Sequence, residues 1–136
     1  MSLGVEVKLL EDKKFEVNAL KSGAKAYMDT KREGYTPSAP SPSEFFLASL
    51  GGCVLYYAWK YLSNARIEFK ELSARVSGEW TKEPLMLKDI KVEIFTDAEL
   101  GNRREALLRF VHNCPIHNTI INTQQIHIQF SEEEHE

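Results

Sequence analysis

Basic charge is not in excess in this 136-residue chain: 17 lysines and arginines stand against 20 aspartates and glutamates, for a net charge of -3. That balance gives no support for nucleic-acid binding, which ordinarily leaves a basic patch. Long apolar runs are missing as well. The longest uncharged stretch, Phe45 to Trp59, has 15 residues and holds two glycines, whereas a bilayer span needs roughly 20. A buried helix is expected there and no membrane partner. No apolar segment with a small-residue cleavage site opens the sequence, and cysteine is scarce, with only Cys53 and Cys114. Such a pair without an export signal is expected in the cytoplasm, where a structural disulfide is the less common use of two cysteines. There is no internal repeat, no linker long enough to divide domains, and no Gly-x-Ser-x-Gly elbow to suggest a serine hydrolase.

What is present fits one packed domain over 1–136, with 43% hydrophobic and 27% charged residues. Val5, Val7 and Leu9 alternate with polar neighbours, as do Phe15, Val17 and Ala19, which predicts two strands. A third strand fits 24–29. The segment Lys31 to Pro42 contains three prolines and a glycine and reads as a loop. Ser41-Pro42-Ser43-Glu44 then places a capping serine, a proline at the first helical position and a glutamate at the third. The helix it starts is expected to run to about Leu62. Its apolar residues, among them Phe45, Phe46, Leu50, Val54, Tyr57, Trp59 and Tyr61, fall on every face, so every face must be covered.

Two more strands are expected, one placing Leu72, Ala74, Val76, Gly78 and Trp80 on one face, the next carrying Ile90, Val92 and Ile94. Lys82-Glu83-Pro84 joins them in an antiparallel hairpin. A second helix is expected from Asn102, with Glu105 completing a capping pair, and it ends before Cys114 because Pro115 disfavours a helical residue ahead of it. Pro115 to Ile121 forms a further short helix. Ile126, Ile128 and Phe130 are expected to close the chain as a half-buried strand, and Glu132 to Glu134 as a solvated tail. The architecture is therefore α+β, mainly antiparallel, with one long apolar helix. So little material can hardly cover that helix, which points to a homodimer.

The two cysteines carry the candidate chemistry, and each has two readings. Cys53 follows Gly51-Gly52 inside the long helix, where each glycine costs about 1 kcal/mol relative to alanine. Either something approaches the helix closely there, or Cys53 is a small core residue. Cys114 precedes Pro115 and so sits at a helix N-cap, facing unpaired N–H groups that favour a thiolate; alternatively it fills a tight turn. Zinc offers a third use, through Cys114 and His117 with His112 upstream and Cys53 as a fourth ligand.

The run Pro42-Ser43-Glu44-Phe45-Phe46-Leu47-Ala48-Ser49-Leu50-Gly51-Gly52-Cys53 resembles the first-cysteine helix of the OsmC/Ohr superfamily. Asn113-Cys114-Pro115-Ile116-His117 resembles its second-cysteine motif, and the two lie about sixty residues apart. The resemblance implies an OsmC-like fold, an intertwined homodimer, and thiol-dependent reduction of organic hydroperoxides without metal, flavin or other cofactor, recycled by a small or lipoyl-type dithiol. It assigns Cys53 as the peroxidatic nucleophile, Cys114 as the resolving thiol, Arg32 as the cation for the thiolate and Glu44 as the arginine's carboxylate partner. In the well-studied peroxidases that glutamate directly follows the proline; here Ser43 does, and Glu44 is turned about 100° further round the helix. In this displacement the chain resembles the less characterised YhfA-like branch. Phe46, Tyr56 and Tyr57 either line an apolar pocket for an alkyl group or pack the core. A non-catalytic binding protein on the same fold is the alternative reading.

Overall fold

Alternation builds the first sheet. In the computed structural model, which describes residues 2–123 and 125–131, Val5–Leu9 (β1), Phe15–Ala19 (β2) and Lys25–Met28 (β3) form an antiparallel meander in the order β1-β2-β3. Val7 faces Val17, Leu9 faces Phe15, and Val17 faces Ala26. This register sets apolar side chains opposite one another on one face, the pairing unit that stabilises a sheet. β3 is shorter than expected by a residue at each end, and Asp29 leaves the strand to enter the following loop.

The helix start is as the sequence predicts. Ser41 N–H donates to Glu44 Oε1 at 2.9 Å, and Glu44 N–H donates to Ser41 Oγ at 3.1 Å. Two N–H groups with no partner inside the helix are thus satisfied reciprocally. The helix, α1, runs from Pro42 to Asn64. Within this chain it does not bury every face: Leu50, Gly51, Val54, Ala58 and Leu62 form one buried stripe at helical spacing, while Phe46, Tyr56 and Trp59 stay largely exposed.

The Gly-Gly pair divides in role. A Cβ on Gly51 would come within 2.8 Å of Val76 Cγ2, whereas one on Gly52 would meet nothing within 4 Å. Close approach of Leu72–Trp80 (β4) therefore explains Gly51. Along β4, Leu72, Ala74, Val76 and Gly78 are half-buried and alternate with exposed residues, but Trp80, expected on the same face, is exposed. β4 pairs with Leu87–Thr96 (β5) in a separate two-stranded sheet, and the turn between them closes through Thr81 N–H to Met86 O at 2.8 Å. Where the chain enters β4 and leaves β5, Asp97 Oδ1 accepts the N–H groups of Lys70 and Glu71.

Two expectations fail. Asn102 does not cap a helix with Glu105. Gly101–Arg103 is a 3-10 turn, and α2 begins after it, over Arg104–Val111, with no side chain capping its N-terminus. The tighter turn takes up the three residues that the capping pair would have spanned. Nor is there a strand at 126–130: Ile126, Ile128 and Phe130 are 82%, 94% and 100% exposed. Alternation suits a strand only when an edge receives it, and no pairing to this segment occurs among the described residues. The acidic run Glu132 to Glu134 lies outside those residues.

The chain forms two compact units, Met1–Gly52 with Ala74–Ile94, and Cys53–Ser73 with Phe95–Glu136. Each unit is assembled from two separate stretches, so no linker in the sequence divides them. Among the described residues, no helix is long and apolar enough to cross a membrane.

Candidate active site

Pro115 creates the local geometry of the second cysteine. It cannot donate, and it forces Cys114 out of the helical region: Cys114 has φ -57° and ψ 123° and is the N-cap of α3, Pro115–Asn122. Three backbone bonds bring the chain there from α2, His112 N–H to Arg109 O, Asn113 N–H to Phe110 O and Cys114 N–H to Val111 O, at 3.0–3.2 Å. The Cys114 side chain is fully buried, and its Sγ accepts the N–H of His117 at 3.4 Å. A sulfur thus takes the place of the usual capping oxygen.

Cys53 belongs to the same unit as α3. It sits beside the buried stripe of α1 and is half-buried. Burial pushes its thiol up from the ordinary range; a hydrogen bond with the Cys114 side chain adds to the rise, and the N–H of Ile116 opposes it. The two thiols therefore lie close enough to shift one another's ionisation, and Cys114 Sγ takes the His117 N–H at the start of α3. Both are free thiols. Sequence spacing placed each cysteine on its own element; their approach, and the backbone donor that serves Cys114, come from the fold.

The aromatic residues of α1 separate. Tyr57 and Tyr61 pack on Phe110 of α2, with ring centroids 5.9 and 5.8 Å apart, so Tyr57 is a packing residue. Tyr56 stacks along its own helix on Tyr57 and Trp59, and about half of it is exposed.

The zinc alternative finds no assembled ligand set. Among the described residues, no group of three or more His, Cys, Asp or Glu side chains is placed to hold a metal ion. His112 packs edge-on against His117, with centroids 5.1 Å apart, and its Nδ1 donates to Leu108 O at 2.7 Å. His117 Nδ1 is buried and has no hydrogen-bond partner among the described residues.

Arg32 and Glu44 are held by their immediate surroundings. Glu44 is the helix cap described above. Arg32 lies in the loop after β3, where its Nη1 is 3.7 Å from Asp29 Oδ1 and 3.4 Å from Thr30 Oγ1, and its guanidinium carbon is 4.0 Å above the Tyr35 ring. Asp29 is the fully buried charged residue at the centre of this loop. Its carboxylate accepts from the Tyr35 hydroxyl, from Ser38 N–H at 3.0 Å and Oγ at 3.2 Å, and from Thr30 N–H at 2.8 Å. The Tyr35 hydroxyl first, and then the Ser38 and Thr30 donors, hold it well below the usual carboxylate range against the cost of burial. Sequence reading missed Asp29 because it stood at the end of a strand. A carboxylate three residues before the arginine was the available signal, but nothing in the pattern tied it to Tyr35 or Ser38.

The sequence profile of the family described as OsmC-like protein matches residues 35–129. No curated protein sequence matches the chain. Among solved structures, the chain is similar to an OsmC-like protein from Mycoplasma pneumoniae, at 19% identity and a TM-score of 0.76, over 90% of this chain and 89% of that one. It is also similar to an organic hydroperoxide resistance protein OsmC from Legionella pneumophila, at 20% identity and a TM-score of 0.63, over 90% of both chains. The organic hydroperoxide resistance protein OhrB of Bacillus subtilis follows at 17% identity and a TM-score of 0.54, over 90% and 93%. At such identities the likeness shows the α+β fold, while the profile covers both cysteine motifs. The chain belongs to the OsmC-like family.

Proposed function

We propose that this chain is a thiol-dependent peroxidase that reduces organic hydroperoxides through Cys53 and Cys114. The observation that carries the reading is the meeting of two free thiols at the start of α3, one half-buried and one fully buried. A solvent-reachable sulfur beside a protected one suits a nucleophile with a resolving partner. Two structural neighbours that bear the name organic hydroperoxide resistance protein support the substrate class.

In this reading the Cys53 thiolate attacks the outer peroxide oxygen, the O–O bond breaks, and the departing alkoxide takes up a proton to leave as the alcohol. Cys53 becomes a sulfenic acid. Cys114 then attacks that sulfur, water is released, and a disulfide forms. A small or lipoyl-type dithiol reduces it by exchange and is itself oxidised. Because burial raises the Cys53 thiol, the nucleophile needs a cation, the role that the family resemblance assigns to Arg32. Glu44 enters as the helix cap. The setting is a reducing cytoplasm, and the acting form is a homodimer, consistent with the exposed Phe46, Tyr56 and Trp59 of α1.

The test is direct. Reduced protein receives one equivalent of cumene hydroperoxide, and thiol states are mapped by mass spectrometry beside Cys53→Ser and Cys114→Ser. A Cys53–Cys114 disulfide in the parent, with sulfenic acid trapped at Cys53 in Cys114→Ser, is the expected result. Unmodified thiols throughout would leave the family fold serving a non-catalytic binding role.

A further inference from the structure

We infer that His117 is the base that takes the proton of Cys114 when the resolving thiol attacks. This rests on the proposed roles of Cys53 and Cys114, and adds the proton acceptor that the second of them needs. The thiolate is the nucleophile, and Cys114 has no exposed surface, so solvent does not reach the sulfur to remove its proton. A side chain must do so. His117 stands three residues after Cys114, in the first turn of α3, and its N–H donates to Cys114 Sγ at 3.4 Å. Side chains on a helix lean toward its N-terminus and cover the turn before them, which sets the imidazole over Cys114. The ring packing agrees. His117 meets the ring of His112, two residues before Cys114, edge-on with centroids 5.1 Å apart.

The ring also has a nitrogen to spare. His117 Nδ1 is buried without a hydrogen-bond partner among the described residues, and a buried nitrogen left unpaired calls for a reason. A transient proton supplies one. His112 does not compete for the role, because it is exposed and its Nδ1 is committed to Leu108 O at 2.7 Å. The titratable groups about the ring are His112 from the end of α2, Cys114 before it and, through Cys114, Cys53 of α1; α3 itself holds no Asp, Glu, Lys or Arg. The proton then moves in a closed cycle. With the ring hydrogen on Nε2, Nδ1 offers a lone pair and accepts the Cys114 proton. The Cys114 sulfur attacks the Cys53 sulfur, and the S–O bond of the sulfenic acid breaks. The departing hydroxide takes the proton from the ring and leaves as water. Cys114 is oxidised and the Cys53 sulfenic acid reduced, both to the disulfide, and His117 ends neutral.

The test isolates the Cys114 step without peroxide. Reduced full-length protein is mixed with one equivalent of dithiobis(nitrobenzoate). Thionitrobenzoate is released once as Cys53 forms the mixed disulfide, and again as Cys114 displaces the aryl thiolate from it. Both phases are followed by absorbance across pH for the parent and for His117→Asn, which keeps the backbone N–H to Cys114 and a polar side chain but is no base. Cys114→Ser gives the first phase alone and sets the baseline. Expected are an unchanged first phase and a second phase at least tenfold slower in His117→Asn. The parent's second phase should slow on acidification, with an inflection that the first phase and the variant lack. A second phase of parent speed in His117→Asn would overturn the inference, and equal slowing of both phases would make His117 a packing residue. Absence of the inflection in the parent would overturn it too, even if the variant does not fold. No second phase in the parent would sink the resolving role of Cys114 together with the inference. A parent that completes both phases but consumes no cumene hydroperoxide would sink the peroxidase reading alone, and the exchange would still decide the role of His117.

Discussion

Cys114 Sγ accepts the N–H of His117 at 3.4 Å, so the sulfur that is proposed to resolve a sulfenic acid also caps the helix on which it stands. Its two roles are separable. Serine preserves an acceptor at the N-cap and alanine does not. Cys114→Ser is expected to remain within about 1 kcal/mol of the parent, whereas Cys114→Ala loses about 1–2 kcal/mol through the missing cap and the buried void. Chemical denaturation of the two variants checks this, and neither variant should form the intramolecular disulfide.

The environment of Cys53 fixes the sign of its pH dependence. Burial and the Cys114 side chain both favour the neutral thiol, so alkylation of Cys53 should reach half its maximal rate at a pH above that of an ordinary cysteine. Removing Cys114 removes one of the two causes. In Cys114→Ala the midpoint is expected to fall relative to the parent, as read by mass spectrometry of iodoacetamide-treated protein across pH.

Asp29 makes the opposite prediction for stability. Its folded-state carboxyl is held below the ordinary value of 3.8, so its contribution is present above the unfolded pKa and is lost as pH falls through the folded one. Asp29→Asn should therefore be less stable than the parent at pH 7, with the difference shrinking steadily below about pH 4. Thermal unfolding midpoints of the two proteins, followed from pH 7 to pH 2, show whether the curves converge.

At the start of α1, Ser41→Ala is expected to cost about 1 kcal/mol by leaving the Glu44 N–H unsatisfied. Glu44→Gln keeps the reciprocal bond to Ser41 N–H and should cost no more than about 0.5 kcal/mol, from the weaker interaction with the helix dipole. Hydroperoxide turnover by Glu44→Gln close to the parent would match its role as a cap, and a large loss of kcat would give its charge a part in the chemistry.

The two helix glycines should respond in opposite directions. Gly51→Ala drives a Cβ to 2.8 Å from Val76 Cγ2 and is expected to destabilise by about 1–2 kcal/mol, with overpacking outweighing the gain in helix propensity. Gly52→Ala meets nothing within 4 Å and should stabilise the isolated chain by up to about 1 kcal/mol. Denaturant midpoints for the pair provide the measurement.

The sequence by itself determined what local chemistry determines. Ser41, Pro42 and Glu44 start a helix wherever the chain places them, Pro115 compels Cys114 to be an N-cap, and alternation makes strands of 5–9 and 15–19, because each effect acts within four residues. Where competing local signals were balanced, tertiary context decided: Gly101 to Arg103 tightened into a 3-10 turn instead of a capped helix, and Ile126 to Phe130 alternate without an edge to join among the described residues. Only the tertiary structure brought Cys53 to Cys114, showed Gly51 to be required by Val76 and Gly52 not, and gathered Tyr35 and Ser38 around Asp29. Those relationships depend on long-range packing and on the orientation of side chains from separate elements, which no residue spacing encodes.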